Sequence, residues 1–386
     1  MIGAGAPGRY DGRMEPEPKR LTSLDALRGI AALSVVFWHW QHFFAIKGDW
    51  QDGWSHGQEP LFWLLKPLYL QGWAAVDLFF VLSGFVFFWL YSDTIRTRAI
   101  GAGRFALLRL SRLYPLHFVL LLAAAGLQFA FWRQTGQFFI YGANDVPHFI
   151  AQLFLVQRWW IDAPQSFDGP SWSISMEALL YVLFFALCRF GMRPGWRALL
   201  VALAAVPLIW VDEDIARGFI GFFMGGVMVA CWKGLRVRAD AAIVTRVLGW
   251  SAIAGWVVLA WLLYRDSPLV GGDETNAGFL IVFDIVLCPL TVLALAMRAK
   301  KEHPWLGFLG DISYATYMIH FPMQLALALI ANRMGWTPQV FMQGWVMVLF
   351  YAVLIGLGTL SFRYFEKPMQ RWLRRLSPAR AALSEA

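Results

Sequence analysis

Residues 24–46 read LDALRGIAALSVVFWHWQHFFAI, and this stretch decides the fold class. It is long enough to cross the hydrocarbon core of a bilayer, for which an α-helix needs about 20 residues. It nevertheless contains Arg28 near its start and His39 in its second half. An ionisable side chain inside a membrane helix is costly unless it faces protein or water. The stretch therefore predicts a first transmembrane helix with one polar face.

The composition of the whole chain is that of a membrane protein. Of its 386 residues, 59% are hydrophobic, 17% are aromatic and only 15% are charged, whereas soluble domains carry about 25% charged residues. The net charge of +8 is explained by arginine-rich cytoplasmic loops, so nucleic acid is not an expected partner. The three cysteines stand in apolar runs without metal-ligand spacing, and no metal site is expected.

Apolar runs predict an all-α polytopic membrane protein with about ten transmembrane helices. The predicted spans are 24–46, 73–91, 113–132, 174–190, 197–211, 214–232, 247–264, 278–298, 312–331 and 343–362. A further apolar run, 146–160, is shorter and ends in Arg-Trp-Trp. We interpret it as an interfacial or re-entrant segment, with an additional span as the alternative.

The charges of the connecting loops alternate along the chain. Lysine and arginine concentrate in every second loop and in both terminal segments, while the loops between them are rich in aspartate and glutamate. Because the lysine and arginine bias sets orientation, both termini are predicted to be cytoplasmic. The predicted organisation is a disordered cytoplasmic tail over 1–20, one membrane domain over 21–368 and a basic cytoplasmic tail over 369–386.

Arg28 and His39 are predicted to share one face of the first helix. Eleven residues correspond to about 1100° of rotation, which is three turns plus roughly 20°, and to a rise of about 16 Å. Asp25, three residues before Arg28, can pair with it on the same face. Each residue also has a simpler interpretation. Arg28 can be a cation that snorkels at a helix end, and His39 can be a histidine bonded to a neighbouring helix.

Other polar residues stand within predicted spans, where each is a candidate for function. They are Asp77 and Ser83 in VDLFFVLSGF, Trp172, Ser173 and Glu177 in GPSWSISMEALLY, and Tyr317 and His320 in ISYATYMIH. A carboxylate near a helix N-terminus is also simply favourable electrostatically, and membrane tyrosines often make interhelical hydrogen bonds.

Arg109 and Arg112 lie one helical turn apart in RLSRLYP, just before the third span. The positive-inside bias alone would place arginines there. A paired guanidinium face beside Arg28 would also hold phosphate groups well. Spacing does not decide between these two interpretations.

The distribution of these groups suits a group transfer across the membrane. Cations gather at the cytoplasmic end, and a histidine with acidic residues gathers in the outer half. A neutral histidine can take the proton of an attacking hydroxyl, and a carboxylate beside it would fix its tautomer. Acyl transfer from a thioester to a sugar hydroxyl fits this arrangement.

The sequence resembles acyltransferase family 3, a family of bacterial integral-membrane O-acyltransferases that modify envelope and secreted glycans. The stretches that carry the resemblance are LDALRGIAALSVVFWH, VDLFFVLSGF, RFALLRLSRLYP, PSWSISMEALLY, FLGDISYATYMIHFP and FRYFEKP. They extend from residue 24 to residue 368, so the resemblance covers nearly the whole chain. Each stretch is a weak pattern by itself, but six in the family's order are specific.

The resemblance implies an acyl-CoA co-substrate, usually acetyl-CoA, rather than a permanently bound cofactor. It further implies a glycan or sugar acceptor and a place in the bacterial inner membrane. His39 matches the family's catalytic histidine, Glu177 its acidic residue after Trp-Ser, and Arg28, Arg109 and Arg112 its donor-side arginines. The acceptor, the acyl chain, the oligomeric state and the need for a partner stay open. So does a covalent intermediate on Ser83.

Two other classes of protein compete with an enzyme. Polar residues within spans also line the path of a transporter or flippase, although no inverted repeat is visible in the sequence. A structural membrane protein would have no need for Arg28 and His39 on one face. Release of acyl groups from acyl-CoA separates the enzyme from both rivals.

Overall fold

The computed structural model describes residues 21–270, 276–298 and 304–375, and these residues form helices and turns without any β-strand. This confirms the predicted all-α polytopic fold. The predicted N-terminal tail and residues 376–386 of the predicted C-terminal tail lie outside the described residues, while residues 369–375 are helical.

Fifteen α-helices are present in the described ranges. They are α1 (Thr22–Trp38), α2 (Phe62–Gln71), α3 (Ala75–Leu90), α4 (Ser92–Arg96), α5 (Ala102–Thr135), α6 (Val146–Leu153), α7 (Trp172–Arg189), α8 (Trp196–Ala205), α9 (Glu213–Leu235), α10 (Ala241–Tyr264), α11 (Ala277–Val282), α12 (Cys288–Arg298), α13 (Pro304–Arg333), α14 (Gly344–Leu360) and α15 (Lys367–Arg375). Short 3₁₀ or π segments extend or join several of them, so that some neighbouring helices form one continuous rod.

Within the described ranges, eight helical rods are long and apolar enough to cross a membrane. They cover Phe62–Leu90, Ala102–Thr135, Gly169–Arg189, Glu213–Leu235, Ala241–Tyr264, Ala277–Arg298, Trp305–Arg333 and Gly344–Arg375. The apolar helix Trp196–Trp210 is shorter, as is the 17-residue α1. The protein is therefore a multi-pass membrane protein, while the count of ten spans and the cytoplasmic termini stay predictions.

Several rods are longer than the apolar runs that predicted them. The rod expected at 73–91 begins at Phe62. Its added part contains the buried Lys66, whose Nζ lies 2.5 Å from Asp266 Oδ1. The rod expected at 113–132 begins at Ala102, so that it also carries Arg109 and Arg112. Of the run 146–160, only eight residues form a helix, α6, which is too short to cross a bilayer.

Two pairs of helices approach closely through glycines. A Cβ atom at Gly84 of α3 would lie 1.8 Å from the carbonyl oxygen of Phe222, and one at Gly225 of α9 would lie 2.3 Å from that of Val81. In the same way, a Cβ at Gly29 of α1 would lie 2.6 Å from the carbonyl oxygen of Leu309 on α13. Small residues allow such close packing in membranes, where no hydrophobic effect drives helices together.

The helix that begins at Thr22 changes from an α-helix to a 3₁₀ helix at His39. The α-helix ends at Trp38, and residues His39–Ala45 continue as a 3₁₀ helix. Trp40 supports this segment, since its indole nitrogen donates to the carbonyl of Phe341 at 2.9 Å. A 3₁₀ stretch within a rod often marks a functional position.

Candidate functional site

A cavity that opens to solvent, with about 770 Å³ of empty space, lies among α1, α3, α5, α7 and α13. Seven of the polar residues singled out in the sequence line it: Arg28, Ser83, Arg109, Arg112, Ser173, Glu177 and Tyr317. The remaining predicted residues lie beside the cavity or elsewhere, as described below.

Three arginines from two helices line the cavity. Arg28 on α1 pairs with Asp25, whose Oδ1 lies 2.7 Å from the guanidinium, as the spacing predicts. Arg109 on α5 donates to the hydroxyl of Tyr91 at 2.6 Å, and its guanidinium lies over the rings of Phe87 and Tyr91 at 4.9 and 4.8 Å. Stacking on these aromatic rings fixes the orientation of the planar guanidinium.

Arg109 and Arg112 make no ion pair with any residue that the structure describes. An arginine cannot relieve this by losing its proton, because a guanidinium stays charged at physiological pH. Two such cations one turn apart at a cavity are therefore suited to an anionic ligand, and a guanidinium can bind phosphate through two hydrogen bonds.

Glu177 on α7 lies in the same cavity and is held by hydroxyl groups. Its Oε1 accepts a hydrogen bond from Ser83 Oγ at 2.5 Å and a second from the hydroxyl of Tyr181. Ser83 thus has a carboxylate partner that the sequence did not indicate. Glu177 was expected beside His39, but the structure bonds it to these hydroxyls instead.

Three histidines form a separate, buried cluster next to the cavity. The ring centroid of His39 lies 4.8 Å from that of His320 on α13 and 4.9 Å from that of His42. Gln324, one turn after His320, donates to the carbonyl of His39 at 2.9 Å. No group of three or more side chains in the described ranges has an arrangement suited to a metal ion.

Backbone carbonyls determine the tautomers of two of these histidines. His39 Nδ1 lies 2.9 Å from the carbonyl oxygen of Val35, and His320 Nδ1 contacts that of Tyr317. Because a carbonyl only accepts, each Nδ1 carries the proton and each Nε2 presents a lone pair. His39 is therefore oriented as a proton acceptor without help from a carboxylate.

Tyr317 connects the cavity to the histidines. Its hydroxyl, which lines the cavity, lies 2.8 Å from Ser173 Oγ and donates to the carbonyl of Pro170 at 2.8 Å. Its ring centroid lies 5.7 Å from that of His320. His39 does not itself line the cavity. It contacts His320, which in turn contacts the cavity-lining Tyr317.

A second group of buried charges lies apart from the cavity lining. Arg217 on α9 donates to Asp77 at 2.9 Å and to Asp214 at 3.3 Å. Arg158 bridges Asp214 and Asp212, each at 2.9 Å. Asp77, a predicted site residue, is thus part of an ion-pair network.

Trp172, another predicted site residue, packs against the same network. Its ring lies 5.5 Å from the guanidinium of Arg217, and the ring of Trp73 lies 4.5 Å from that guanidinium. The signal for this network in the sequence was the spacing of Asp214 and Arg217, which places them one turn apart on a helix.

Asp168 is a buried carboxyl in the loop before α7. It is 1% exposed, and neither carboxyl oxygen has a hydrogen-bond partner among the described residues. Burial raises the pKa of Asp168 to about 8, because desolvation disfavours the charged form. This residue is therefore protonated at neutral pH.

Sequence reasoning missed several residues that shape the site. Tyr91 holds Arg109, and Tyr314 lines the cavity while donating to the carbonyl of Leu113 at 2.5 Å. His42 and Gln324 join the histidine cluster. Gln324 stands four residues after His320, a spacing that places both on one face of α13.

Comparison with known proteins agrees with the sequence motifs. Residues 21–382 match the family described as "Acyltransferase domain", acyltransferase family 3. The acyltransferase MdmB of Streptomyces mycarofaciens is 28% identical over 408 aligned positions, which cover 96% of this chain and 96% of MdmB. The O-acetyltransferase OatA of Staphylococcus aureus is 25% identical over 395 positions, which cover 92% of this chain but 58% of OatA.

No solved structure matches the chain significantly. The family match extends from the start of α1 beyond the end of α15, and thus includes the cavity, the histidine cluster and the ion-pair network. The protein therefore belongs to acyltransferase family 3 and is a multi-pass membrane acyltransferase.

Proposed function

We propose that the protein moves an acyl group, acetyl in the simplest case, from cytoplasmic acyl-CoA to a hydroxyl of a cell-envelope or secreted glycan. The proposed location is the bacterial inner membrane. The observation that carries the proposal is the division of the site. Arg109 and Arg112, which have no ion-pair partner in the described chain, line one part of the cavity, and His39, with Nδ1 bonded to a carbonyl, lies beyond Tyr317.

The arginines support an acyl-CoA donor. Coenzyme A carries three phosphate groups, and Arg109 and Arg112 are cations on a cavity without ion-pair partners in the described chain. A donor that enters with its phosphates at these arginines extends its thioester into the cavity, past Ser83 and Glu177. Arg28, already paired with Asp25, contributes further positive potential.

His39 is proposed as the general base of the transfer. Its Nε2 takes the proton of the acceptor hydroxyl while that oxygen attacks the thioester carbonyl. The carbon–oxygen bond forms, the carbon–sulfur bond breaks, and the proton passes from His39 to the departing thiolate of CoA. The Val35 carbonyl stabilises the imidazolium that forms, since Nδ1–H donates to it.

The names of the relatives support transfer to oxygen. OatA is an O-acetyltransferase, and MdmB, which is covered over nearly its full length, is an acyltransferase. We carry the O-acetyl chemistry to this chain as part of the proposal. Comparison of the O-acyl content of envelope and secreted glycans with and without the gene tests the acceptor class.

The purified full-length protein in phosphate-free maltoside micelles tests the activity. We expect slow release of CoA from acetyl-CoA, with water as the acceptor, and faster release when a cognate glycan is present. His39→Gln should reduce this release by at least about 100-fold, the usual contribution of a general base, while CoA still binds.

The matched control is His148→Gln. His148 pairs with Asp145 near the start of α6, away from the cavity, and its loss should leave turnover unchanged. Wild-type protein that binds CoA but never releases it from acetyl-CoA, with or without glycan fractions, would support a transporter. Full turnover by His39→Gln would remove His39 from the mechanism.

A further inference from the structure

The helix α15 brings another arginine close to Arg109 and Arg112. Arg374 on α15 donates from Nε to Ser111 Oγ at 3.3 Å. Ser111 is buried on α5 and lies between Arg109 and Arg112 in the sequence. Arg374 itself is exposed, so its remaining N–H groups are accessible from outside the helical bundle.

Arg374 adds to a cluster of like charges. The positive charges of Arg109 and Arg112 act on its guanidinium, and no carboxylate of the described chain lies within ion-pair distance of any of the three. Like charges that lie close together repel one another. The charge of Glu366 acts on Arg112, and the hydrogen bond to Ser111 keeps Arg374 beside the two other arginines. The three guanidiniums are therefore suited to bind one anionic group together.

We propose that Arg109, Arg112 and Arg374 form one phosphate-binding site, and that α15 is thereby part of the donor site. This inference rests on the proposed function, because the phosphates it assigns are those of acyl-CoA. Two of the arginines line the cavity and the third is exposed beside them. The site therefore suits the phosphate-bearing end of a ligand whose other end lies inside.

The same chemistry could come from the headgroup phosphate of an anionic lipid, since α15 ends a rod that is apolar enough to cross the membrane. The two sources differ in one respect. A lipid phosphate is attached to chains that stay in the bilayer, whereas the phosphates of CoA are attached to a pantetheine arm that fits a cavity.

Equilibrium binding to the full-length protein in phosphate-free maltoside micelles tests the inference. CoA is one probe, and pantetheine, which lacks all phosphates, is the other. We expect Arg374→Ala to weaken CoA binding about fivefold, as for an exposed charge pair, and to leave pantetheine binding unchanged. The dependence of CoA affinity on salt should also become shallower.

Arg371→Ala is the matched control, because Arg371 lies on the same helix and its Nε contacts the carbonyl of Lys367. It should bind CoA like the wild type. Arg374→Lys keeps the charge and should restore part of the affinity, which separates loss of a phosphate contact from misfolding. Wild-type affinity in Arg374→Ala, or an equal loss in Arg371→Ala, would overturn the inference.

Two outcomes separate this inference from the proposed function. If the wild type does not bind CoA at all, both fail. If the wild type binds CoA and Arg374→Ala binds it equally, only this inference fails. A third arm adds phosphatidylglycerol to the micelles. If the substitution lowers lipid retention and leaves CoA affinity unchanged, the site belongs to the lipid and the donor assignment is wrong.

Discussion

The cavity and the ion-pair network of Arg217 both place charges among transmembrane helices, but they satisfy those charges differently. In the network, Arg217 and Arg158 share the carboxylates of Asp77, Asp212 and Asp214 at 2.9 to 3.3 Å. In the cavity, Arg109 and Arg112 have no such partners in the described chain, and Glu177 is held by hydroxyls.

This difference in ion pairing separates the two kinds of charged side chain within the membrane. A carboxyl without a cation can take up a proton, whereas a guanidinium keeps its charge at any physiological pH. The charge of Glu366 acts on Arg112, but neither Arg109 nor Arg112 has an ion-pair partner in the described chain, so both are suited to bind an anion. The network satisfies its charges within the protein, whereas the arginines of the cavity are the ones we propose to bind a ligand.

The first prediction concerns Asp168, a carboxyl without a cation. Its folded pKa of about 8 lies above the ordinary value of about 3.9, so folding favours the protonated form. Stability should be greatest below about pH 4 and should fall as the pH rises through about 8, by an upper limit of roughly 6 kcal/mol. Asp168→Asn cannot ionise and should flatten this fall.

Thermal unfolding in micelles between pH 5 and pH 9 measures this effect. The wild type and Asp168→Asn should diverge most at the alkaline end, with the variant more stable. Parallel curves for the two proteins would show that this carboxyl is not buried in its neutral form.

The second prediction concerns the network. Asp77→Ala removes the 2.9 Å partner of the buried Arg217, and loss of one partner of a buried ion pair costs about 3–5 kcal/mol. The unfolding temperature should fall strongly, while CoA affinity of the folded fraction should stay near that of the wild type. Asp240→Ala breaks the exposed pair with Arg238 and should change neither. A selective loss of CoA affinity in Asp77→Ala would move Asp77 into the donor site.

The third prediction concerns the contact between α3 and α9. Helix α3 contributes residues both to the cavity and to the ion-pair network. Gly225→Ala places a Cβ 2.3 Å from the carbonyl oxygen of Val81, so the helices must separate, at a cost of about 1–3 kcal/mol. Both stability and turnover should fall, because Ser83 and Asp77 lie on α3.

Gly234→Ala is the matched control for this contact. It lies on the same helix, and its Cβ meets nothing within 4 Å. It should be neutral or slightly stabilising, since alanine favours helix more than glycine does. Equal behaviour of the two variants would show that α3 and α9 tolerate a wider spacing.

The smallest predicted effect is that of Ser83→Ala. Glu177 keeps its bond from Tyr181, so the loss of one hydrogen bond should cost about 1 kcal/mol and lower turnover about fivefold. A complete loss would instead indicate that Ser83 carries the acyl group, with Glu177 taking its proton. Ser313→Ala is the control, because Ser313 also lines the cavity but donates to the carbonyl of Gly310.

Much of the fold could be predicted from the sequence, because apolar runs and charge alternation depend only on local composition. The rod that begins at Phe62 was underestimated; its added part buries Lys66 against Asp266, a residue 200 positions away, and such a contact is not visible in the local sequence. The helical form after Trp38 also depends on tertiary contacts, such as that of Trp40 with Phe341.

The sequence predicted many of the residues of the candidate site, but not which of them contact one another. Helix periodicity brought Arg109 and Arg112 to one face, and both line the cavity. Helix periodicity could not show that Glu177 bonds to Ser83 in the cavity while Asp77 bonds to Arg217 in the ion-pair network. Those partners are distant in sequence, and only the packing of α3 against α7 and α9 brings them together.

The central claim is that Arg109 and Arg112, which have no ion-pair partner among the residues the structure describes, bind the donor. Equilibrium binding of CoA to the wild type and to Arg112→Ala, in phosphate-free micelles, tests it most directly. We predict a Kd raised about 10- to 100-fold, the effect expected for a charge-assisted hydrogen bond to phosphate, with pantetheine binding unchanged. Equal affinity of the two proteins for CoA would contradict the account.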